Sequence, residues 1–195
     1  SQMTVAHNLA VDAMKLFPEE FTKFALLDGN ILDDMKRTDE ALALYDEALK
    51  RNPHSAILYY NRAITLLKVD KYTESKKSLQ QSLLINPYYS SSHYLMGAIL
   101  YDEGNLVAAM LALKTYLLVA PSGKYSNKAV QKLNNIAKVT DEVMENVKKY
   151  KPGKEDNFDL QQQILLSKIS YDKKYKLEAG LEDYIVRQIQ VVDEK

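Results

Sequence analysis

Three histidines are the side chains in this sequence best suited to acid–base catalysis or metal binding. His7, His54 and His93 lie far apart along the chain, and none has a ligand-type neighbour at a spacing that metal sites use. We therefore predict no metal site, and we interpret His93 as a packing residue of its helix.

Adjacent carboxylates are the other candidates for acid–base chemistry. Neighbouring side chains on a helix point in different directions, and acidic groups near a helix start favour the helix dipole, so solvated or capping roles are expected. The chain has no cysteine, glycine-rich phosphate loop or serine-nucleophile elbow, so we predict no enzyme activity and no cofactor. The pairs are Glu19 with Glu20, Asp33 with Asp34, and Asp39 with Glu40.

Composition narrows the classes of partner. Lys plus Arg and Asp plus Glu each number 26, so the chain lacks the positive field that non-specific nucleic-acid binding needs. No apolar run approaches the roughly 20 residues that cross a bilayer, so no membrane span is predicted. The compartment stays open: cytoplasmic or, if a leader was removed before Ser1, periplasmic.

The helices that must position any binding residue can be predicted from a repeat in the sequence. Pro53, Pro87 and Pro121 are equally spaced along the chain. Proline cannot continue a helix and pushes the residue before it out of the helical region, so each proline is expected to end a helix. Scarce glycine and proline together with helical apolar spacing predict an all-α chain.

Small residues repeat with the same period. Two antiparallel helices approach closely only where bulky side chains are absent, so each hairpin needs small residues at facing positions. We therefore expect each first residue of the following pairs to meet the neighbouring helix. The pairs, all with the same separation between their members, are Gly29 with Ala41, Ala63 with Ser75, and Gly97 with Ala109.

These features resemble the tetratricopeptide repeat family, which has two helices in each unit of about 34 residues, the interval that separates the prolines. The resemblance covers residues 22–55, 56–89 and 90–123, and implies a right-handed α-solenoid of helix hairpins. The middle unit matches best, whereas Tyr116 of the third unit stands where the family has a small residue.

The flanking segments are predicted from the same pattern. Residues 1–21 resemble the second helix of a partial leading repeat, and residues 124–150, with no proline or glycine, predict one long capping helix. Residues 151–195 predict a C-terminal helical hairpin, for which a degenerate repeat is a further interpretation. As an alternative to capping, a heptad stripe that includes Val143 and Val147 could form a homodimer.

In this family the first helices of successive units line a concave groove, so the resemblance places the binding surface there. Tyrosines at such positions offer large apolar area with a polar tip, and favour a bound peptide or helix. Packing of the same tyrosines between helices is the competing interpretation. The predicted groove residues are Asn30, Ile57, Tyr60, Asn61, Ile64, Tyr94, Tyr101, Tyr125 and Lys128.

Some family members bind acidic chaperone tails through lysines, asparagines and an arginine on these helices. Asn30 and Asn61 match the asparagine positions, but Leu26, Ser91 and Leu95 stand where the cations would be. Two asparagines without cations cannot supply charge-assisted bonds to a terminal carboxylate, so chaperone tails are not the expected partner.

The sequence thus predicts a scaffold that binds a protein or peptide of unknown identity in its groove. The alternative is a structural or dimerising repeat domain of a larger protein, with the groove filled by its own C-terminal helices. An enzyme site hidden in those C-terminal helices is a third and weaker alternative, because they hold no convergent acid, base or nucleophile.

Overall fold

A computed structural model of the chain describes residues 2–138, 140–151, 158 and 161–162. Within those residues every regular element is helical, which confirms the all-α prediction. The chain divides into two compact units, Ser1–Ser92 (unit 1) and His93–Lys195 (unit 2). The helices are α1 Gln2–Leu16, a 3-10 turn Pro18–Glu20, α2 Phe21–Asp34, α3 Thr38–Arg51, α4 Ala56–Leu67, α5 Tyr72–Ile85, α6 Ser90–Asp102, α7 Leu106–Val119, α8 Ser126–Lys138 and α9 Asp141–Lys149.

The residues that precede the three prolines end the helices α3, α5 and α7. Asn52 has φ −134° and ψ 78°, Asn86 has φ −134° and ψ 94°, and Ala120 has φ −140° and ψ 68°. The proline ring disfavours the helical conformation in its predecessor, so each helix stops just before that predecessor. The predicted role of the prolines is therefore confirmed.

One left-handed residue marks the turn after each first helix, again at the interval that separates the prolines. Lys36 has φ 64°, Asp70 has φ 57° and Gly104 has φ 79°. Of these only Gly104 meets a second requirement, because a Cβ there would overlap the backbone carbonyl of Asn146. Glycine is thus needed where the α9 backbone crosses the turn.

The small residues lie at helix contacts, as predicted from their spacing. A Cβ on Gly29 would overlap the ring of Tyr45 in α3, and one on Gly97 would lie 2.8 Å from Cγ of Leu113 in α7. Ala63 is fully buried, and its carbonyl accepts a hydrogen bond of 2.9 Å from Oγ of Ser75 in α5. Each first helix therefore approaches its second helix at a small residue.

The segment 124–150 corrects the prediction of one long helix. It forms two helices, α8 and α9, and Thr140 between them is extended, with φ −63° and ψ 160°. Thr140 is followed by Asp141 and Glu142, and a threonine before two acidic residues is typical of a helix start. The helix-start pattern at Thr140 thus marks the boundary between α8 and α9, although no proline or glycine lies there.

The break lets α9 pack within unit 2. Val143 is fully buried in a core shared with Leu106 of α7 and with Leu133 and Ile136 of α8, and Val147 packs against the same core. The Val143 and Val147 stripe is therefore used inside the chain, and the dimer that it suggested is not its role. Most of the predicted hairpin 151–195 lies outside the described residues.

Two further contacts tie the flanking segments to their units. In unit 1, α1 packs against α2, and Nδ1 of His7 lies 2.6 Å from Oδ1 of the buried Asp28. In unit 2, Gln162 donates a 3.0 Å hydrogen bond to the carbonyl of Gly104 and accepts one of 2.8 Å from the amide of Leu106. Gln162 thereby satisfies polar backbone groups of the α6–α7 turn.

Candidate functional site

In unit 1, the first helix of each hairpin is α2 or α4. These two helices present five of the predicted groove residues on one face. Ile57 is 41% exposed, and Tyr60, Asn61 and Ile64 of the same helix, α4, are half-buried. Asn30 is exposed on α2, which contacts α4. We call this surface, together with Leu27 of α2, the unit 1 face.

Asn30 is held in place from behind. Its Oδ1 accepts a hydrogen bond of 2.8 Å from the hydroxyl of Tyr45, whose side chain is fully buried. Burial and the nearby carboxylate of Asp33 raise the pKa of Tyr45 well above its usual value, so the hydroxyl keeps its proton and donates. The carboxamide of Asn30 is therefore oriented by the core.

Tyr60 is restrained by a second aromatic ring. Its ring lies 5.3 Å from that of Tyr89, at an interplanar angle of 65°, which is the edge-to-face arrangement that aromatic pairs favour. Burial raises the pKa of Tyr89. The contact with Tyr89 therefore limits the side-chain freedom of Tyr60.

A charged edge follows the C-terminal ends of α2 and α4. Nζ of Lys68 lies 2.5 Å from Oδ2 of Asp33 and 4.0 Å from Oδ1 of Asp34. The Asp33 side chain is 7% exposed, so this pair is more shielded from solvent than an ordinary surface pair. Lys68 is therefore committed to acidic neighbours in its own unit.

The corresponding tyrosines of unit 2 pack against each other. The rings of Tyr94 and Tyr125 are stacked, with centroids 4.3 Å apart and an interplanar angle of 5°. Tyr116 lies 5.5 Å from Tyr94, and its hydroxyl accepts a 2.8 Å hydrogen bond from the backbone amide of Tyr125. Burial raises the pKa of Tyr94. Lys128 is exposed on α8.

The structure corrects the prediction for Tyr101. This side chain is fully buried, so it does not line a binding surface. Nζ of Lys132 lies 3.9 Å from the ring centroid, and Asn135 donates a 3.2 Å hydrogen bond to the hydroxyl. Both covering residues belong to α8, and burial raises the pKa of Tyr101. Packing, the competing interpretation, is correct at this position.

Sequence reasoning missed one residue of the unit 1 face, Leu27, and one residue that contacts this face, Tyr89. Leu27 is 54% exposed and stands one repeat period before Asn61, so the repeat offset alone could have identified it. Tyr89 precedes α6 and contacts Tyr60. No sequence signal identifies Tyr89, because the contact depends on how the chain turns into α6.

The described residues contain no group of three His, Cys, Asp or Glu that could hold a metal ion. In the same part of the chain, no helix is long and apolar enough to cross a membrane. What the unit 1 face offers is an apolar surface bordered by two carboxamides, which suits a peptide backbone and its apolar side chains.

Two models of the tetratricopeptide repeat match the chain, at residues 29–55 and 44–77, within the hairpins that pack through Gly29 and Ala63. This chain contains tetratricopeptide repeats. Together the two matches run from within α2, through α3 and α4, into the first part of α5. The turns and small residues recur at the period of this repeat.

Among curated relatives, human Tetratricopeptide repeat protein 28 is 30% identical over 81 residues, covering 42% of this chain and 3% of that protein. Human Serine/threonine-protein phosphatase 5 is 26% identical over 103 residues, covering 53% of this chain and 21% of that protein. This chain therefore corresponds to a small part of each relative.

Solved structures show the same fold. MamA has a TM-score of 0.58 at 17% identity, covering 73% of this chain and 83% of that one. The first such domain of Spaghetti (RPAP3), bound to the HSP90 peptide SRMEEVD, scores 0.55 at 19% identity, with 60% and 93% covered. The second domain of human RPAP3, in complex with an HSP70 peptide, scores 0.54 at 26% identity, with 59% and 96% covered. The fold is thus one that serves as a protein-interaction scaffold.

Proposed function

We propose that this chain binds a segment of a partner protein on the unit 1 face. The observation that carries the proposal is the exposure of Ile57, which is 41% accessible beside the half-buried Tyr60 and Ile64. An exposed apolar residue such as Ile57, in the first turn of α4, gains free energy when a partner covers it.

The carboxamides at the border set the chemistry of the partner. Asn30, fixed by Tyr45, and Asn61 offer N–H donors and carbonyl acceptors beside the apolar surface. These groups match the backbone of an extended peptide, and Ile57 and Tyr60 match its apolar side chains. The expected partner segment is therefore uncharged at its centre, with one or two bulky apolar residues.

Unit 2 offers a smaller apolar surface of its own. Tyr94 and Tyr125 are stacked on each other and expose only part of their rings, and the exposed Lys128 lies on α8. A stacked pair offers a flat apolar surface without losing further side-chain entropy. We expect this pair, taken by itself, to bind a partner more weakly than the unit 1 face does.

A chaperone peptide is the second candidate. The RPAP3 domains with this fold are bound to HSP90 and HSP70 peptides, so the fold itself is compatible with such ligands. Against it stands Leu26, which occupies a position where a cation would hold the terminal carboxylate. We therefore expect the SRMEEVD peptide to bind at least about tenfold more weakly than a partner segment of the proposed chemistry.

The test is affinity capture from the native cell with quantitative mass spectrometry, comparing the wild-type chain with Ile57→Ser/Tyr60→Ala. The matched control is Leu84→Ser/Tyr88→Ala, which removes the same kinds of side chain from positions 74% and 78% exposed on and after α5. Both variants should fold, because all four side chains are exposed or half-buried.

The expected result is one set of proteins that is lost with the Ile57/Tyr60 variant and retained with the Leu84/Tyr88 control. Direct titration of the captured protein's binding segment should then show a loss of at least about tenfold in affinity. Equal capture by wild type and both variants would remove the unit 1 face from the proposal. Loss with the control alone would move the binding surface to α5.

A further inference from the structure

A cleft of about 380 Å³ lies on the other side of unit 1 from the proposed binding face. It is lined by side chains from three helices, which include Asp46 and Lys50 of α3, Tyr59 and Arg62 of α4, and Lys77 and Ser78 of α5. The cleft therefore belongs wholly to the first two hairpins of unit 1.

The helix geometry separates this cleft from the unit 1 face. Successive residues of an α-helix are rotated by about 100°, so Tyr59 and Arg62 point roughly opposite to Ile57, Tyr60 and Ile64. A ligand in the cleft would thus leave the unit 1 face open. Binding in the cleft is therefore independent of the proposed function.

Arg62 is oriented by two contacts at the cleft wall. Its Nε donates a hydrogen bond of 2.7 Å to Oδ1 of Asp46, and its Nη1 donates one of 2.8 Å to Oγ of Ser78. Ser78 is 3% exposed, and its own hydroxyl donates to the carbonyl of Glu74 at 3.1 Å. The Ser78 oxygen is thereby left to accept from Arg62, which fixes the guanidinium plane.

The fixed guanidinium keeps unused donors. A guanidinium has five N–H groups, and the two contacts to Asp46 and Ser78 use one each. The other three have no acceptor within the described part of the chain, and the Arg62 side chain is 25% exposed. Such a group binds an oxyanion with two parallel hydrogen bonds and has already lost its side-chain entropy.

The charge of the cleft favours an anion with two negative charges. Lys50 and Lys77 also line the cleft and are exposed, and neither forms an ion pair with another described residue. Three cations facing the single carboxylate of Asp46 leave an excess of two positive charges. A phosphate monoester carries about two negative charges near neutral pH.

We propose that this cleft binds a phosphoryl group attached to a small organic body. The Arg62 guanidinium and the ammonium groups of Lys50 and Lys77 would contact the phosphoryl oxygens. The ring of Tyr59 and the side chain of Leu49, which also lines the cleft, provide an apolar wall for the organic part. A phosphorylated side chain has this chemistry, whereas a free phosphate shares only the phosphoryl part of it.

The experiment titrates the ¹⁵N-labelled full chain and follows the Arg62 Nε–H signal and the backbone amides of Lys77 and Ser78 by NMR. The probes are a pentapeptide with one phosphoserine, its unphosphorylated form, inorganic phosphate, and acetate at matched ionic strength. The expected result is saturable shifts with the phosphopeptide and phosphate. Equal shifts with acetate at the same concentration would overturn the proposal.

The two phosphate probes identify the source of the ligand. Binding of the phosphopeptide at least about fivefold tighter than inorganic phosphate would assign the cleft to a phosphorylated side chain, because the apolar wall then contributes. Equal affinity of both probes would assign it to free phosphate. Shifts of the same size with the unphosphorylated peptide would contradict both assignments.

A charge variant tests the site without disturbing the fold. Lys77→Gln should weaken phosphopeptide binding about fivefold, which is the effect of removing one exposed cation beside an anion. The control Lys71→Gln removes the same charge just before α5, outside the cleft. Equal affinities for the two variants would overturn the proposal. Arg62 is left unchanged, because Ser78 is buried and depends on it.

Discussion

The helices α4 and α6 carry tyrosines at equivalent repeat positions, Tyr60 and Tyr94, but these tyrosines make different contacts. Tyr60 in unit 1 is half-buried and touches one ring, whereas Tyr94 in unit 2 is stacked on Tyr125 with a third ring beside it. Tyr101, further along the same unit 2 helix, is fully buried. Tyrosines at equivalent repeat positions thus differ in their aromatic contacts.

The cause of the difference is the helix that follows the third hairpin. In unit 2, α8 supplies Lys132 and Asn135 to Tyr101, and Tyr125 just before it stacks on Tyr94, so predicted surface residues become core. On the unit 1 face, Ile57 and Leu27 remain 41% and 54% exposed. Among the predicted groove residues, exposed apolar area is therefore found on the unit 1 face, whereas the tyrosines of unit 2 pack on one another or in the core.

The largest expected difference comes from matched tyrosine deletions. Tyr101→Ala should lower the free energy of unfolding by about 3 to 5 kcal/mol, because it empties a buried site and removes the contacts of Lys132 and Asn135. Tyr60→Ala should cost no more than about 2 kcal/mol, since its ring is half-buried. Urea unfolding measures both losses of unfolding free energy. Equal losses would contradict the difference between the tyrosines of the two units.

A second substitution tests the packed side of the helix that bears the unit 1 face. Ala63→Leu should destabilise the chain by about 1 to 3 kcal/mol, because Ala63 is fully buried against α5. The control Ala43→Leu, at an exposed position of α3, should change stability by less than about 0.5 kcal/mol. An unchanged melting temperature for Ala63→Leu would contradict the contact between α4 and α5.

The tyrosine cluster of unit 2 can be tested at Gly123, which lies beside Tyr116. A Cβ on Gly123 would lie 2.5 Å from the hydroxyl of Tyr116, which accepts the amide hydrogen bond of Tyr125. Gly123→Ala should therefore cost about 1 to 2 kcal/mol. Thermal unfolding checks this against Ser122→Ala, which is exposed and should be neutral. A neutral Gly123→Ala would mean that Tyr116 moves freely.

The smallest effect is on alkaline stability. The pKa of Tyr45 is raised above its value in the unfolded chain, so its contribution is complete below about pH 10 and is lost as pH rises toward the folded-state pKa. This one group should remove about 0.7 kcal/mol between pH 9.5 and 10.5. Tyr45→Phe should flatten that fall, whereas Tyr88→Phe, at an exposed position, should not.

Sequence reasoning succeeded where the signal is local. The pre-proline residues end helices through their own backbone preference, and the turns at Lys36, Asp70 and Gly104 follow from the same period. Gly97 is found against Leu113 because close packing leaves no space for a side chain. The repeat and its helix pairs could therefore be predicted.

It failed where the outcome depends on distant residues or on a weak signal. Tyr101 is buried by Lys132 and Asn135, which belong to a helix much later in the chain, and no spacing rule includes such a contact. The break at Thr140 had a recognisable helix-start pattern, but the continuous heptad stripe, still buried at Val143, concealed it. A continuous apolar stripe does not require a continuous helix.

The most direct test of the central claim is photo-crosslinking from the unit 1 face. A benzophenone amino acid replaces Ile57 in one variant and Leu84, which is 74% exposed on α5, in the other. Both are expressed in the native cell and irradiated. The account predicts that position 57 crosslinks to one defined partner, that Tyr60→Ala abolishes the product, and that position 84 does not give it. The same partner crosslinked equally from position 84 would contradict the claim.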